Sequence, residues 1–383
     1  MIKLLTIIGA RPQIIKAAAL SRAIESGFKQ EVAEVILHTG QHYDDSMSEV
    51  FFREMQIPQP EYNLKIGSAS HGSQTGQMIG GIEEVILKEK PDGMVVYGDT
   101  NSTLAGALAA AKLHIPVIHI EAGLRSFNKQ MPEEINRIAC DHVSTLLFSP
   151  TLTGVKNLEE EGIVHHENEK LSFDSQGVYH NGDVMYDNTL FFRQLALANS
   201  PILKNLGLEN KAYILATIHR PSNTDVTENL AGILRAIDRV SRGKKIEMIL
   251  PLHPRTLAIL KRDESRDSME VIQANKLIRI IPAVSFLDMI RLEAGASLLL
   301  TDSGGVQKEA WFMEKPVVVL REETEWVEII EAGNGVLTGP DPEKIISASL
   351  KYLDAPPQNY PPIFGDGKAA HRIMEILTTV NWQ

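Results

Sequence analysis

Short runs of apolar residues alternate with helical patterns along almost the whole chain. In the first half the apolar runs predict strands with the sequences IKLLTIIG, EVILHTG, GMVVYGD, IPVIHIEAG and TLLFSP. The segments between them predict helices from Pro12 to about Glu25, near 44–55, near 74–90, at 101–112 and from about Glu133. Strands that alternate with helices in this way are typical of parallel βαβ units.

The same alternation continues in the second half. Its apolar runs predict the strands AYILATIH, KIEMILPLH, IRIIP, SLLLTDSGG and PVVVLRE, with helices at 226–241, 285–294 and 306–314. The segment from about 164 to 180, VHHENEKLSFDSQGVYH, is polar and irregular, so we place the domain junction there. The predicted domains are 1–177 and 178–365, and a final helix in 366–383 is expected to pack back on the first domain.

The simplest architecture for this pattern is an α/β fold with two open parallel sheets, which form two Rossmann-like domains facing across a cleft. In sheets of this kind, ligands bind outside the carboxyl ends of the strands. Residues that directly follow a predicted strand are therefore the first candidates for function.

Composition limits the partners and the chemistry. The 383 residues are 43% hydrophobic and 23% charged, as expected for two globular domains rather than a disordered or fibrous chain. The formal net charge of -11 argues against a nucleic-acid partner. The single cysteine, Cys140, excludes an internal disulfide, and the histidines show no metal spacing, so we expect no catalytic metal. No apolar run is long enough for a secretion signal or a membrane span, and we expect a cytoplasmic protein without a membrane partner.

The first candidate site follows the first strand. There the sequence Gly9-Ala10-Arg11-Pro12-Gln13 leads into a helix, and Lys16 comes one turn later. Gly9 permits a tight turn, and Pro12 suits the first helical position, so Arg11 is held beside a helix N-terminus that would attract an anion. Arg11 and Lys16 are equally compatible with a solvated surface, so this site needs support from elsewhere.

The second candidate site is Asp302-Ser303-Gly304-Gly305, which follows the strand SLLLT and leads into a helix. Its two glycines allow close approach of the backbone, and its free N–H groups with the Ser303 hydroxyl could hold a diphosphate. Glu309, about one turn further along, could accept both hydroxyls of a ribose. No Gly-Lys-Ser/Thr phosphate loop occurs here, and no GxGxxG fingerprint follows the first strand.

The third candidate is a set of acids. Asp99 and Glu121 end two successive strands, and Glu133 follows Pro132 at a helix start. Acids that converge at strand ends can have pKa values far enough apart for general acid–base catalysis. Asp99 could instead cap a helix, and Glu133 could simply complement a helix dipole.

A histidine supplies the fourth candidate. His219 follows the strand AYILATI and precedes Arg220, so it could bind phosphate or transfer a proton. His253 occupies a comparable position after the next strand and ranks second.

Several motifs of the chain resemble those of the non-hydrolysing UDP-N-acetylglucosamine 2-epimerases of bacteria: GARPQIIKAA, VYGDTNSTLAGALAA, HIEAGLRS, PEEINR, TIHR and LTDSGGVQKEA. The resemblance runs from about residue 3 to residue 350, with the motifs in the order of the family. It implies a glycosyltransferase-B type fold, a UDP-sugar substrate, no metal or nicotinamide cofactor, and a homodimer. It also implies that UDP leaves as the C2 proton is removed, and that UDP adds back after the glycal is protonated on its other face.

The resemblance also implies roles for individual residues. Asp99, Glu121 and Glu133 match three catalytic carboxylates, with His219 as a further catalytic group, and the order of the proton transfers stays open. Glu309 would hold the ribose and Phe286 would lie near the uracil. The substrate-binding set consists of Arg11, Lys16, Arg137, His219, Phe286, Ser303, Gly304, Gly305 and Glu309.

The chain departs from the family pattern at several positions. Gln13 stands where many members have glutamate, and TEWVE at 324–328 replaces a TERPE-like segment. The pair Gln41-His42, used by members that are activated by a second substrate molecule, is kept, but Asp44 replaces a glutamine, so such activation is not expected. These departures resemble the branch that acts on UDP-2,3-diacetamido-2,3-dideoxyglucuronic acid, which is the alternative substrate. A glycosyltransferase of the same fold, a hydrolysing epimerase and a non-catalytic sensor are the weaker alternatives.

Overall fold

The computed structural model describes residues 1–40, 52, 58–166, 170–252, 254–260 and 266–382. The chain divides into two compact units: unit 1 comprises Met1–Asn188 and Pro362–Gln383, and unit 2 comprises Thr189–Pro361. The helix expected near 44–55 falls almost entirely outside the described residues, as do Gln41, His42, Asp44 and His253.

Unit 1 contains a seven-stranded sheet in which every paired strand runs parallel to its neighbour. Its strands are β1 (Ile2–Ile8), β2 (Val32–His38), β3 (Tyr62–Asn63), β4 (Gly93–Tyr97), β5 (Val117–Ile120), β6 (Leu146–Ser149) and β7 (Gly177–His180). The helices that begin in the described part of this unit are α1 (Arg11–Ala23), α2 (His71–Glu89), α3 (Asn101–Lys112), α4 (Pro132–His142), α5 (Leu152–Glu160), α6 (Val184–Asn199) and α16 (Ala369–Thr379), and a π-helical turn (Ile24–Phe28) extends α1.

Unit 2 contains a six-stranded parallel sheet. Its strands are β8 (Tyr213–Thr217), β9 (Glu247–Leu252), β10 (Ile278–Pro282), β11 (Leu298–Thr301), β12 (Val317–Val319) and β13 (Gly335–Leu337). Its helices are α7 (Ile202–Asn205), α8 (Pro221–Thr224), α9 (Thr227–Lys244), α10 (Pro254–Leu260), α11 (Arg266–Ala274), α12 (Phe286–Gly295), α13 (Gly304–Phe312), α14 (Val327–Glu331) and α15 (Pro342–Asp354).

Both sheets have the strand order of a Rossmann-like fold, which confirms the predicted α/β class with two such halves. The orders are β3-β2-β1-β4-β5-β6-β7 and β10-β9-β8-β11-β12-β13. In each sheet the order reverses next to the first strand, so the topological switch point lies between β1 and β4 in unit 1 and between β8 and β11 in unit 2. Ligands bind at such points because the two connecting loops diverge there.

The central strands are almost entirely buried, which explains why they are apolar at successive positions. In β1, Leu5, Ile7 and Ile8 have no exposed surface, and the same holds for Leu298, Leu299 and Leu300 of β11. None of the helices in the part of the chain that the structure describes combines the length and apolar character needed to cross a membrane.

The end of the chain belongs to unit 1. Helix α16 contacts α1, and the carboxylate of Asp187 caps its first turn by accepting hydrogen bonds from the backbone N–H groups of Ala369 and Ala370, at 3.0 Å each. Trp382 is buried, and its indole N–H donates to the Leu377 carbonyl at 2.9 Å. The predicted junction at 164–180 lies within unit 1, which continues to Asn188. Residues 177–180 of that segment form β7 and pair with β6.

Candidate active site

The loop after β1 comes into close contact with two neighbouring elements. A Cβ atom on Gly9 would lie 2.1 Å from the Ser102 hydroxyl and 2.2 Å from the Thr39 hydroxyl, so only glycine fits. Those two hydroxyls are hydrogen-bonded to each other at 2.8 Å. Close packing at the switch point therefore requires glycine at position 9.

Gln13 fixes the start of α1 to the end of β4. Its carbonyl oxygen accepts from the Ala10 N–H at 3.1 Å, and its amide donates to the Tyr97 carbonyl at 3.1 Å and to the Thr103 hydroxyl at 3.0 Å. A glutamate could not donate to the Tyr97 carbonyl. The glutamine that distinguishes this chain from many of the proteins it resembles thus has a structural use.

Lys16 and Glu121 form an ion pair beside the turn that follows β4. Their side chains are only 12% and 10% exposed. Glu121 has φ 75°, a left-handed conformation that is unusual for a side-chain-bearing residue and that occurs often at functional sites. A Cβ atom on Gly98 (φ 64°) would lie 2.9 Å from Lys16 Nζ and 3.1 Å from Glu121 Oε2, so the pair lies directly against the Gly98 backbone.

Asp99 is the second acid at this switch point. Its carboxylate pairs with Arg137 Nη2 at 2.5 Å and remains 30% exposed, while its backbone carbonyl accepts from the Asn136 amide at 2.8 Å. Arg137, expected among the substrate-binding residues, is therefore the partner of Asp99. The structure thus places Lys16, Glu121, Asp99 and Arg137 along the ends of the neighbouring strands β4 and β5 and on the helices α1 and α4.

Glu134 connects Arg137 to the loop before α4, a role that the sequence did not reveal. It is 1% exposed, it binds Arg137 Nη1 at 2.9 Å, and it accepts from the backbone N–H groups of Ser126 and Phe127, at 2.9 Å each. Burial alone would raise the pKa of Glu134, but the hydrogen bonds from Ser126, Arg137 and Phe127 lower it. Glu133 and Glu134 look equivalent in the sequence, because both are acids at the start of a helix. They differ in the side of α4 on which they lie: Glu133 is exposed and Glu134 is buried.

Two predicted site residues lie on the surface of unit 1. Glu133 occupies the first turn of α4 and is exposed, and within the described ranges no hydrogen bond or ion pair joins its side chain to another residue. Arg11 is exposed at the first position of α1. Both side chains are therefore accessible to a ligand from solvent.

In unit 2, His219 is held by Asp302 across the switch point between β8 and β11. The two side chains approach at 2.9 Å between His219 Nδ1 and Asp302 Oδ1. Asp302, which has no exposed surface, also accepts from the backbone N–H groups of His219 and Arg220 and from the Asn223 amide. Burial alone would raise the pKa of Asp302, but its partners His219, Arg220 and Asn223 lower it. Because the carboxylate accepts at Nδ1, the other ring nitrogen of the 53% exposed His219 side chain faces outward.

Ser303, Gly304 and Gly305 form the N-terminus of α13. The Ser303 hydroxyl caps the helix by accepting from the Val306 N–H. A Cβ atom on Gly304 would meet no heavy atom closer than 3.7 Å, and the nearest are Glu325 Oε2 and Trp326 Nε1. This helix N-terminus is thus open enough to bind an anion, and the unusual TEWVE segment lies beside it.

Glu309 lies further along α13 beside a second, buried acid. Glu293 of α12 has no exposed surface, and among the described residues none forms a hydrogen bond of standard geometry with either of its carboxylate oxygens. Burial and the nearby Glu309 carboxyl raise the pKa of Glu293 well above its ordinary value. Burial beside the half-buried Glu309 thus favours the protonated form of Glu293.

Phe286 is the first residue of α12, a helix capped by the Ser285 hydroxyl. Its ring packs edge to face against the buried Phe192, with ring centroids 5.1 Å apart. The ring is only partly buried, so part of its surface is accessible to a ligand.

We expect Glu293→Gln to change how stability depends on pH. A carboxyl whose pKa is raised on folding keeps its proton in the folded chain but loses it in the unfolded chain above about pH 4.5. The wild type should therefore lose up to ~1.4 kcal/mol of unfolding free energy per pH unit relative to the variant as pH rises. Urea denaturation at several pH values measures this difference.

The matched control for this experiment is Glu331→Gln, which alters an exposed acid of the same unit. Its stability difference from the wild type should not vary with pH. A pH-independent difference for Glu293→Gln as well would show that Glu293 is ionised in the fold.

Comparisons with known proteins agree with this geometry. The family model for UDP-N-acetylglucosamine 2-epimerase matches residues 26–378. A protein of Methanococcus maripaludis named UDP-N-acetylglucosamine 2-epimerase homolog is 48% identical over 98% of this chain and 99% of its own length. The UDP-2,3-diacetamido-2,3-dideoxy-D-glucuronate 2-epimerase of Pseudomonas aeruginosa is 46% identical over the same shares of the two chains.

A solved structure extends the comparison to the fold. The crystal structure of Methanocaldococcus jannaschii UDP-GlcNAc 2-epimerase in complex with UDP-GlcNAc and UDP matches with a TM-score of 0.82 and 43% identity, over 98% of this chain and 99% of that one. The match confirms the expected glycosyltransferase-B type fold. The chain belongs to the UDP-N-acetylglucosamine 2-epimerase family, whose members are isomerases.

Proposed function

We propose that the chain is a non-hydrolysing UDP-N-acetylglucosamine 2-epimerase that interconverts UDP-GlcNAc and UDP-ManNAc. The observation that carries the proposal is the pair of acids Asp99 and Glu121, which follow adjacent strands and are each paired with a cation. A glycosyltransferase needs only one base, whereas an epimerase must remove a proton from one face of a carbon and return one to the other. Two such acids therefore favour epimerisation.

In this proposal, unit 2 binds the nucleotide. The open N-terminus of α13 at Ser303, Gly304 and Gly305 attracts the diphosphate, because its N–H groups and helix dipole favour negative charge. Glu309 accepts the ribose hydroxyls, and Phe286 lies against the uracil. Arg11 and the outward ring nitrogen of His219 add positive charge or a hydrogen-bond donor at the leaving group.

Unit 1 transfers the protons. A carboxylate among Asp99, Glu121 and Glu133 takes the C2 proton, and the electrons of that C–H bond form the C1–C2 double bond. The C1–O electrons leave with UDP, so the charge that would build up at C2 passes to the diphosphate. A second acid then protonates C2 on the opposite face, and the UDP oxygen adds back to C1. Lys16 and Arg137 hold the side chains of Glu121 and Asp99 in place through their ion pairs.

The alternative substrate is UDP-2,3-diacetamido-2,3-dideoxyglucuronic acid. The similarity to the Pseudomonas aeruginosa enzyme, at 46% identity, favours it. A second observation supports it: Trp326, part of the departure from the TERPE-like pattern, lies beside Gly304, which we propose as a diphosphate-binding residue.

Nuclear magnetic resonance of the purified protein with each UDP-sugar separately decides between the candidates. The proposal predicts that UDP-GlcNAc yields UDP-ManNAc without net release of UDP. Conversion of the diacetamido substrate alone would establish the alternative, and steady accumulation of UDP with a free sugar would establish a hydrolysing enzyme. Binding of both UDP-sugars without turnover would indicate a non-catalytic sensor of sugar nucleotides.

A further inference from the structure

A buried histidine lies on strand β5, two residues before Glu121. His119, in β5, has no exposed surface. Its Nδ1 is 2.7 Å from Asp141 Oδ1, and its Nε2 is 2.8 Å from the Gly98 carbonyl oxygen. A carbonyl oxygen can only accept a hydrogen bond, so Nε2 carries a proton.

The state of Asp141 decides the protonation of the other ring nitrogen. Asp141 Oδ2 accepts from the Gly123 N–H at 3.1 Å and binds Arg125 Nη1 at 2.7 Å. These partners favour the ionised carboxylate, which then accepts from Nδ1 as well. With both ring nitrogens donating, His119 is an imidazolium cation.

The charges around His119 are balanced, which makes a buried cation tolerable. Arg125 is held by a bidentate pair with Glu161, at 2.7 Å from its Nε and 2.7 Å from its Nη2. His119 and Arg125 thus face Asp141 and Glu161, two cations against two anions. Burial alone would lower the pKa of His119, but the neighbouring Cys140 and Asp141 side chains raise it well above its ordinary value.

This network holds the backbone next to both proposed catalytic acids. The Gly98 carbonyl precedes Asp99, and Gly98 has φ 64°. Gly123 closes the turn that contains Glu121, and its own φ is 79°. A Cβ atom on Gly123 would lie 2.3 Å from the Gly154 carbonyl oxygen, so this turn has little freedom to shift.

We propose that His119, as an imidazolium held by Asp141, is a positioning residue that sets the separation of Asp99 and Glu121. The cation donates to the Gly98 carbonyl, and its partner Asp141 accepts from Gly123, so one charged pair fixes both turns. This inference rests on the proposed epimerase function, because Asp99 and Glu121 are the acids whose positions it controls.

The protonation state is tested on the wild type, without any need for turnover. Of the 12 histidines, at least one should keep both ring nitrogens protonated at about pH 8, well above the ordinary pKa of ~6.5. Nitrogen-15 spectra of histidine-labelled protein report this directly, and the signal should disappear in Asp141→Asn. A spectrum with no doubly protonated histidine at that pH overturns the proposal.

The positioning role is tested by kinetics of His119→Gln and Asp141→Asn. A glutamine cannot span the distance between the Gly98 carbonyl and the Asp141 carboxylate as the imidazole ring does. We therefore expect kcat to fall about 10- to 100-fold, because a small displacement of the reacting groups is enough for such a loss. KM and UDP affinity should change less than about threefold, because the nucleotide site lies in unit 2.

The control is His371→Gln, on the exposed face of α16 in the same unit, which should leave kcat unchanged. Normal kcat in both network variants would overturn the positioning role. If one of the two network variants does not fold, the kinetics of the other variant and the nitrogen-15 spectrum of the wild type still test the proposal. A wild type that epimerises neither UDP-sugar would instead contradict the proposed function, and the spectrum would still test the cation.

Discussion

Asp99→Asn and Glu121→Gln are each expected to lower kcat by about 10²- to 10⁴-fold, the usual contribution of a positioned acid or base. Each replacement preserves the shape of the side chain but removes its ability to accept a proton. The partners Arg137 and Lys16 remain in place, so the fold of unit 1 should survive. Initial rates with either UDP-sugar, together with calorimetric UDP affinity, measure the effect, and UDP affinity should stay within about threefold.

Glu133→Gln extends the same test to the exposed acid of α4. We expect a loss of the same order, because a side chain without partners in unit 1 can turn toward a bound sugar. The matched control is Glu159→Gln, another exposed acid of unit 1, which should retain full activity. Near-normal turnover of any of the three variants would assign that acid a structural role instead.

Glu309→Ala is expected to weaken UDP binding about 10- to 150-fold, which corresponds to about 1.5–3 kcal/mol for a hydrogen bond to a charged group. The physical reason is that a carboxylate can accept both ribose hydroxyls, whereas alanine leaves them facing an apolar gap. Isothermal titration calorimetry with UDP alone measures the loss without any need for turnover.

Glu331→Ala provides the control for the loss of one negative charge from unit 2, since that side chain is exposed. Its UDP affinity should equal that of the wild type. If Glu309→Ala also bound UDP normally, Glu309 would not be part of the nucleotide site.

Much of the fold could be predicted because local pattern and burial agree. Strand β11 is buried along its whole length and β1 from Leu4 onward, so their apolar runs identify them. The strand β7 could not be predicted in this way. It lies in a polar segment, and it forms because it pairs with β6 through Val178 and Tyr179, a contact that no local pattern encodes.

The sequence could indicate which loops form the candidate site, but not which side chains contact one another there. Residues at strand ends, such as Asp99, Glu121 and His219, could be identified because parallel strands present their carboxyl ends at one edge. The pairing of His119 with Asp141 spans 22 residues of sequence, and no spacing rule predicts it. The one feature of the sequence that could have indicated this pairing is the polar side chain of His119 within the apolar strand VIHIE.

The most direct test of the central claim is turnover in D₂O. Removal and return of the C2 proton by carboxylates that exchange with solvent should place deuterium at C2 of the epimerised product. UDP should form transiently, and added NAD should have no effect, because the electrons leave with the diphosphate rather than as a hydride. Mass spectrometry and proton NMR of the product measure the C2 hydrogen. Deuterium at C2 is the predicted result, and full retention of the original hydrogen in the epimerised product would contradict the elimination mechanism.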